Sequence, residues 1–172
     1  PTYQKLLEYY KPKILLGLTA TPERMDGKDI LTYFDNRIAA EIRLPEAIDR
    51  KLLCPFHYFG ISDEVDLQNV KWSRGGYDKT ALSNVYTGND VRVMLILRQL
   101  NKYVADMDNV KGLGFCVSKA HAEYMAQRFN DSNIPSIALT SESTNDERNT
   151  AQTRLVNGEI KFIFTVDLYN EG

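Results

Sequence analysis

From Lys111 to Val166 the sequence alternates short apolar runs with amphipathic stretches, and this alternation limits the possible fold more than any other feature. Leu113 to Val117 and Pro135 to Leu139 read as strands, and Ile160 to Val166 as a buried strand. Ser118 suits the N-cap of a helix whose inner face carries Ala122, Met125 and Phe129. Asn133 turns the chain towards the second strand. Thr144 and Glu147 have the spacing of a capping box, and Asn157-Gly158 ends the helix they open, which runs to Val156. Strand, helix, strand, helix, strand with short links predicts right-handed crossovers and a parallel sheet flanked by helices, an α/β fold.

In such a sheet, ligands sit beyond the carboxyl ends of the strands. Ser118, Thr140, Ser141 and Thr165 fall at those ends. Lys119 and His121 add side-chain donors in the first helical turn. Helix N-termini present free N–H groups and partial positive charge, which suits phosphates. The row can therefore hold a phosphate backbone without reading bases. Taken singly, each hydroxyl reads as plain helix capping, and only their gathering at one edge points towards a site; His121 reads either as a donor or as a helix-surface residue. Among 172 residues the net charge is −2, so any nucleic-acid contact must come from a local face.

The rest of the chain is less regular. Thr2 to Tyr10 patterns as a helix ended by Pro12, and Ile14 to Leu18 as a buried strand stopping at Thr19-Ala20-Thr21. Those two threonines either cap an ordinary turn or hydrogen-bond across a cleft. Pro22 and Asp26-Gly27 suggest a turn, Ile30 to Phe34 a short helix, Arg37 to Leu44 a strand, Pro45 to Ile48 a brief helix and Phe56 to Ile61 another strand. Trp72, beside Lys71 and Arg74 and just before Gly75-Gly76, either stacks on a base or pins its loop to the body of the fold. A helix is expected over Tyr77 to Tyr86. Asp90 to Val104 is a clear helix with Val93, Leu97, Leu100 and Val104 facing the core and Arg92, Arg98 and Lys102 solvated. Cys54 and Cys116 have neither metal nor disulfide spacing, which suits a reducing cytoplasm. No run is apolar enough to suggest a membrane span.

Several of these stretches resemble superfamily 2 helicases of the bacterial group related to restriction-enzyme helicase subunits. GLTATP, Gly17 to Pro22, is similar to their motif III; GFCVSKAHAEYMAQRF, Gly114 to Phe129, to motif IV; and TVDLYNEG, Thr165 to Gly172, to the start of motif V. LTSES, Leu139 to Ser143, and WSRGGYD, Trp72 to Asp78, also resemble this group. The resemblance implies two RecA-like lobes with ATP and Mg²⁺ between them and DNA tracking across both. Residues 1–44 would be the tail of the first lobe, 45–55 the inter-lobe connection and 56–172 the second lobe. Thr19, Ala20 and Thr21 would couple the lobes. Ser118, Lys119, His121, Thr140, Ser141 and Thr165 would meet the nucleic-acid backbone, and Glu171 and Gly172 would approach the nucleotide.

The sequence departs from that group in three places: it has no GxxxxGK[ST] phosphate loop, no DEAD or DEAH motif and no arginine-bearing motif VI. A chain opening on Pro1 and stopping at Gly172, just after a strand, reads as a piece of a longer protein. Such a piece is expected to bind no cofactor by itself. With the strand at Ile14 to Leu18 parted from its neighbours, residues 1–44 would be loosely held, pack unnaturally on the second lobe or pair artefactually with another copy. Two other readings remain open: a small α/β domain binding a nucleotide or phosphometabolite without tracking nucleic acid, and an interaction scaffold that keeps only the lobe's shape.

Overall fold

The computed structural model describes residues 2–10, 12–20, 30–63, 65–73, 76–166 and 168–169. The chain forms two compact units, Pro1–Phe59 and Gly60–Gly172.

In the first unit, helix α1 spans Thr2–Tyr9, a single 3-10 turn spans Leu31–Phe34 and helix α2 spans Leu44–Asp49. Pro45 stands in the first turn of α2, where its missing N–H costs nothing. The strands expected at Ile14 to Leu18, Arg37 to Leu44 and Phe56 to Ile61 are not formed. Ile14 is 87 % exposed and Leu18 90 %. An apolar run becomes a strand only when a neighbour takes up its N–H and C=O groups, and among the described residues no such neighbour accompanies these runs. Gly17 instead lies against the Phe34 ring, whose Cζ would stand 2.5 Å from an added Cβ.

The second unit holds the alternating pattern. A small antiparallel hairpin pairs β1 (Trp72–Ser73) with β2 (Gly76–Tyr77). Helices α3 (Lys79–Tyr86) and α4 (Asp90–Tyr103) follow, capped by the side chains of Asp78 and Asn89. Then come β3 (Gly112–Phe115), α5 (Lys119–Asp131), β4 (Ser136–Leu139), α6 (Asn145–Val156) and β5 (Phe162–Thr165). The three strands form a parallel sheet in the order β3-β5-β4, so the last strand is central. This is the α/β architecture with flanking helices, consistent with a RecA-like fold.

Register explains the packing. Gly112 and Gly114 of β3 stand opposite Phe162 and Phe164 of β5. Together with Phe129 of α5, these two rings form the centre of one core, completed by Val93 and Leu97 of α4 and by Ala122, Met125 and Ala126 of α5. Phe129 meets both β5 rings edge-on, at centroid distances of 5.2 and 4.8 Å. A Cβ on Gly112 or Gly114 would lie 2.2 or 2.3 Å from a ring atom of Phe162 or Phe164, so the rings use the room that side chains on β3 would take. On the opposite face Ile163, Leu139 and Ile137 pack with Ala151 and Leu155 of α6. Helix α6 covers β5 and β4 and leaves Leu113 and Phe115 of β3 exposed.

The local signals act as the sequence predicts. The Thr144 hydroxyl accepts from the Glu147 N–H, while the Glu147 carboxylate accepts from the Thr144 N–H and hydroxyl. Those two donors hold the Glu147 carboxyl below its ordinary pKa. Asn133 turns at φ 59° and Gly158 at φ 79°, a region where Asn and Gly carry little steric cost.

Candidate nucleic-acid interface

Because β3, β5 and β4 are parallel, their carboxyl ends lie along one edge. Phe115, Thr165 and Leu139 stand side by side there. Ser118 follows β3 and caps α5; Thr140 and Ser141 follow β4, five and four residues ahead of α6. The fold thus brings the expected hydroxyls to a common edge, but the open row of alcohols is not what it forms.

Thr165 is 0 % exposed, and its Oγ1 has no hydrogen-bond partner among the described residues. Thr140 is also buried. Its hydroxyl accepts from the Glu142 N–H at 3.2 Å, and its own N–H donates to the Ser143 hydroxyl at 3.0 Å, so the loop closes on itself. The half-buried Ser118 hydroxyl accepts from the His121 N–H at 3.1 Å and shares a 2.6 Å hydrogen bond with the Ser83 hydroxyl of α3. Ser141 and Lys119 are the exposed members of the set. Lys119 reaches across to Glu142, tying the start of α5 to the β4–α6 loop through an exposed ion pair. Such pairs contribute little and exchange partners readily.

His121 is not a surface residue. It is 6 % exposed, its ring stacks on Tyr86 with centroids 5.6 Å apart, and its Nδ1 accepts from the Val117 N–H at 3.4 Å. Burial, and secondarily the charge of Arg92, lowers its pKa to about 4. It is therefore neutral at neutral pH and offers an anion no charge. Arg92 also departs from expectation. Its guanidinium lies 4.2 Å over the Tyr86 ring and pairs with Asp63 rather than standing in solvent. Burial pushes the Cys116 thiol up to about 12, which makes it an inert core group.

Motif reading overlooks three residues at this edge, Ser83, Glu142 and Arg148. Arg148, in the first turns of α6, directs Nη2 towards the carbonyls of Thr140 and Ser141, each 3.4 Å away. A cation so near a helix N-terminus opposes the dipole, and that conflict was a readable hint that Arg148 braces the loop. A cavity of about 220 Å³ opens nearby between α4, α5 and β3. It is lined chiefly by apolar groups such as Ile96, Leu100 and Phe164, and none of the four alcohols lines it.

Of the other expected site residues, Thr19 and Ala20 are exposed in the first unit. Thr21, Glu171 and Gly172 lie outside the described residues, as do Pro22, Asp26-Gly27, Arg74 and Gly75. Among the described residues no three His, Cys, Asp or Glu side chains gather as a metal site, and no helix is long and apolar enough to cross a membrane. The side chains that would cradle ATP phosphates and hold Mg²⁺, a phosphate loop and a DEAD-type acid, are not in this sequence.

A RecA-like α/β sheet with its polar loops gathered at the carboxyl edge is the class of structure that the geometry defines. Comparison with known proteins narrows it. The chain is 27 % identical over 175 residues to a 51.5 kDa protein of Lactococcus phage (isolate 7-9), aligning 99 % of this chain with 36 % of that protein. It is 25 % identical over 177 residues to the putative ATP-dependent helicase IRC3 of Saccharomyces cerevisiae, covering 99 % of this chain and 25 % of that one. It is 25 % identical over 135 residues to the type I restriction enzyme EcoAI endonuclease subunit of Escherichia coli, covering 72 % of this chain and 16 % of that subunit. No protein-family model matches. These similarities support a superfamily 2 helicase relationship at low identity. The chain spans about a third or less of the length of these relatives.

Proposed function

We propose that this chain is part of an ATP-dependent helicase or translocase acting on DNA, in which the carboxyl edge of β3-β5-β4 grips the phosphate backbone. The observation that carries the reading is similarity of 99 % of this chain to 25 % of a helicase-named relative, on a fold where the exposed Lys119 and Ser141 flank the N-termini of α5 and α6. Lys119 trades Glu142 for a phosphate oxygen, and Ser141 donates its hydroxyl. Ser118, Thr140 and Arg148 hold the two loops in shape, while Thr165 and His121 act from beneath by packing. Within the same proposal Thr19, Ala20 and Thr21 couple this edge to the ATP site, and Glu171 and Gly172 approach the nucleotide.

The test is fluorescence anisotropy of labelled single-stranded and duplex oligonucleotides with the 172-residue chain across a salt series. Weak, sequence-independent binding that falls steeply with salt is expected, with a slope of roughly 0.7 to 0.9 per phosphate contacted. Lys119→Ala should reduce that slope by about one contact. Absence of binding, or affinity indifferent to salt and to Lys119, would favour the phosphometabolite domain or the scaffold.

A further inference from the structure

Trp72 is 61 % exposed. It belongs to neither apolar core, so it does not pin its loop to the body of the fold. The side chain with the most apolar surface to bury thus sits on a two-stranded hairpin, where it gains little from folding. Its orientation is nevertheless fixed. Tyr77 pairs with it across the hairpin and meets it edge-to-face, with centroids 4.7 Å apart and planes at 86°. Below that pair, the Asp78 N–H donates to the Lys71 carbonyl at 2.9 Å, closing the hairpin's base. The Asp78 carboxylate in turn caps α3 by accepting from the Ala81 N–H at 2.8 Å.

Helix α3 connects this hairpin to the phosphate-binding edge proposed above. Ser83 lies five residues beyond Asp78, about 7.5 Å along a helix rising 1.5 Å per residue. There it shares the 2.6 Å hydrogen bond with Ser118, the N-cap of α5. A short, hydrogen-bonded path therefore joins an exposed, oriented indole to the first turn of α5, which carries Lys119. Lys71, next to Trp72, is exposed as well.

From this arrangement we infer that Trp72 is a base-stacking contact for single-stranded nucleic acid whose phosphates run along the β3-β5-β4 edge. The inference rests on the proposed function, because the stacked base must belong to a strand held there. An indole face accepts any base, so the contact adds affinity without sequence preference. Tyr77 sets the ring's plane in advance, so little side-chain freedom is lost on binding.

The chain has one tryptophan, so its emission reports on this position alone. The experiment compares a short oligothymidylate with an abasic deoxyribose-phosphate strand of equal length. Binding is followed by anisotropy of a label on the strand, and stacking by quenching of the indole. Oligothymidylate is expected to bind and quench, and the abasic strand to bind without quenching. Trp72→Ala should weaken oligothymidylate binding about 5- to 150-fold, the range for loss of one stacked base. It should leave abasic binding unchanged, which also serves as the control for folding, and Trp72→Phe should keep most of the affinity. If both strands bind while emission stays constant and Trp72→Ala binds oligothymidylate normally, stacking is refuted and the phosphate edge survives. If neither strand binds, both readings fail. Blue-shifted emission that varies with protein concentration would mean that a second copy covers the indole, which also overturns the inference.

Discussion

Replacing Thr165 by valine is the sharpest test of how the sheet edge is built. Thr165 ends the central strand, is fully buried, and carries a hydroxyl without a partner among the described residues. Leaving a buried hydroxyl unsatisfied costs about 1–3 kcal/mol. Valine keeps the branched shape and the strand preference while exchanging that hydroxyl for a methyl. The replacement should therefore stabilise the second unit by about 1–2 kcal/mol. With a urea dependence of roughly 2 kcal/mol per molar, the midpoint should rise by about 0.5–1 M. Far-ultraviolet circular dichroism across a urea series would measure it. Thr165→Ala should do the opposite, since it removes the hydroxyl and leaves a cavity. If the valine variant is less stable than the parent, the hydroxyl has a partner and the buried-edge reasoning is wrong. Nucleic-acid affinity is expected to change less than twofold. A tenfold loss would mean that the hydroxyl reaches the backbone once a strand is bound.

Three further outcomes follow from the structure. His121 has its pKa lowered from 6.5 to about 4, mainly by burial. Between those values the unfolded chain binds a proton that the folded chain refuses, so stability falls as pH falls through that window, by on the order of 3 kcal/mol in total. His121→Phe should flatten this part of the pH profile of urea midpoints, and an unchanged profile would count against a neutral, buried imidazole. Gly114→Ala places a Cβ 2.3 Å from Phe164 Cδ1, in a core where that ring is held by Phe129. It should cost about 1–3 kcal/mol by thermal melting, and a neutral result would show that the ring yields. Lacking a phosphate loop, a DEAD-type acid and motif VI, the 172-residue chain should release no phosphate from ATP. Turnover that persists through further purification would refute this.

The second unit was legible because its signals are local. The capping box at Thr144, the N-cap at Ser118, the turn at Asn133 and the two helix patterns each act within a few residues. In the first unit the helices at Thr2–Tyr9, Leu31–Phe34 and Leu44–Asp49 were legible and the strands were not, since Ile14 to Leu18 has strand composition and a strand also needs a partner that composition cannot supply. The candidate site divides the same way. Spacing located the strand ends and hence the alcohols. It could not tell which of them face out, because β5 is buried at every position and a wholly buried strand gives no alternation to read. Ser83 was missed because a hydroxyl in a weakly patterned helix looks solvated until the fold lays it against Ser118.

The exchange of volume between β3 and β5 constrains how this lobe can vary. Gly112 and Gly114 are small because Phe162 and Phe164 are large, and the two strands touch in fixed register. Each glycine–phenylalanine couple therefore behaves as one unit of mass split unevenly between neighbours. Bulk added at position 114 is tolerable only where bulk leaves position 164, so Gly114→Ala combined with Phe164→Leu should melt higher than the sum of the single changes implies. Diversification of this lobe would have to proceed by such reciprocal steps, never by one partner alone.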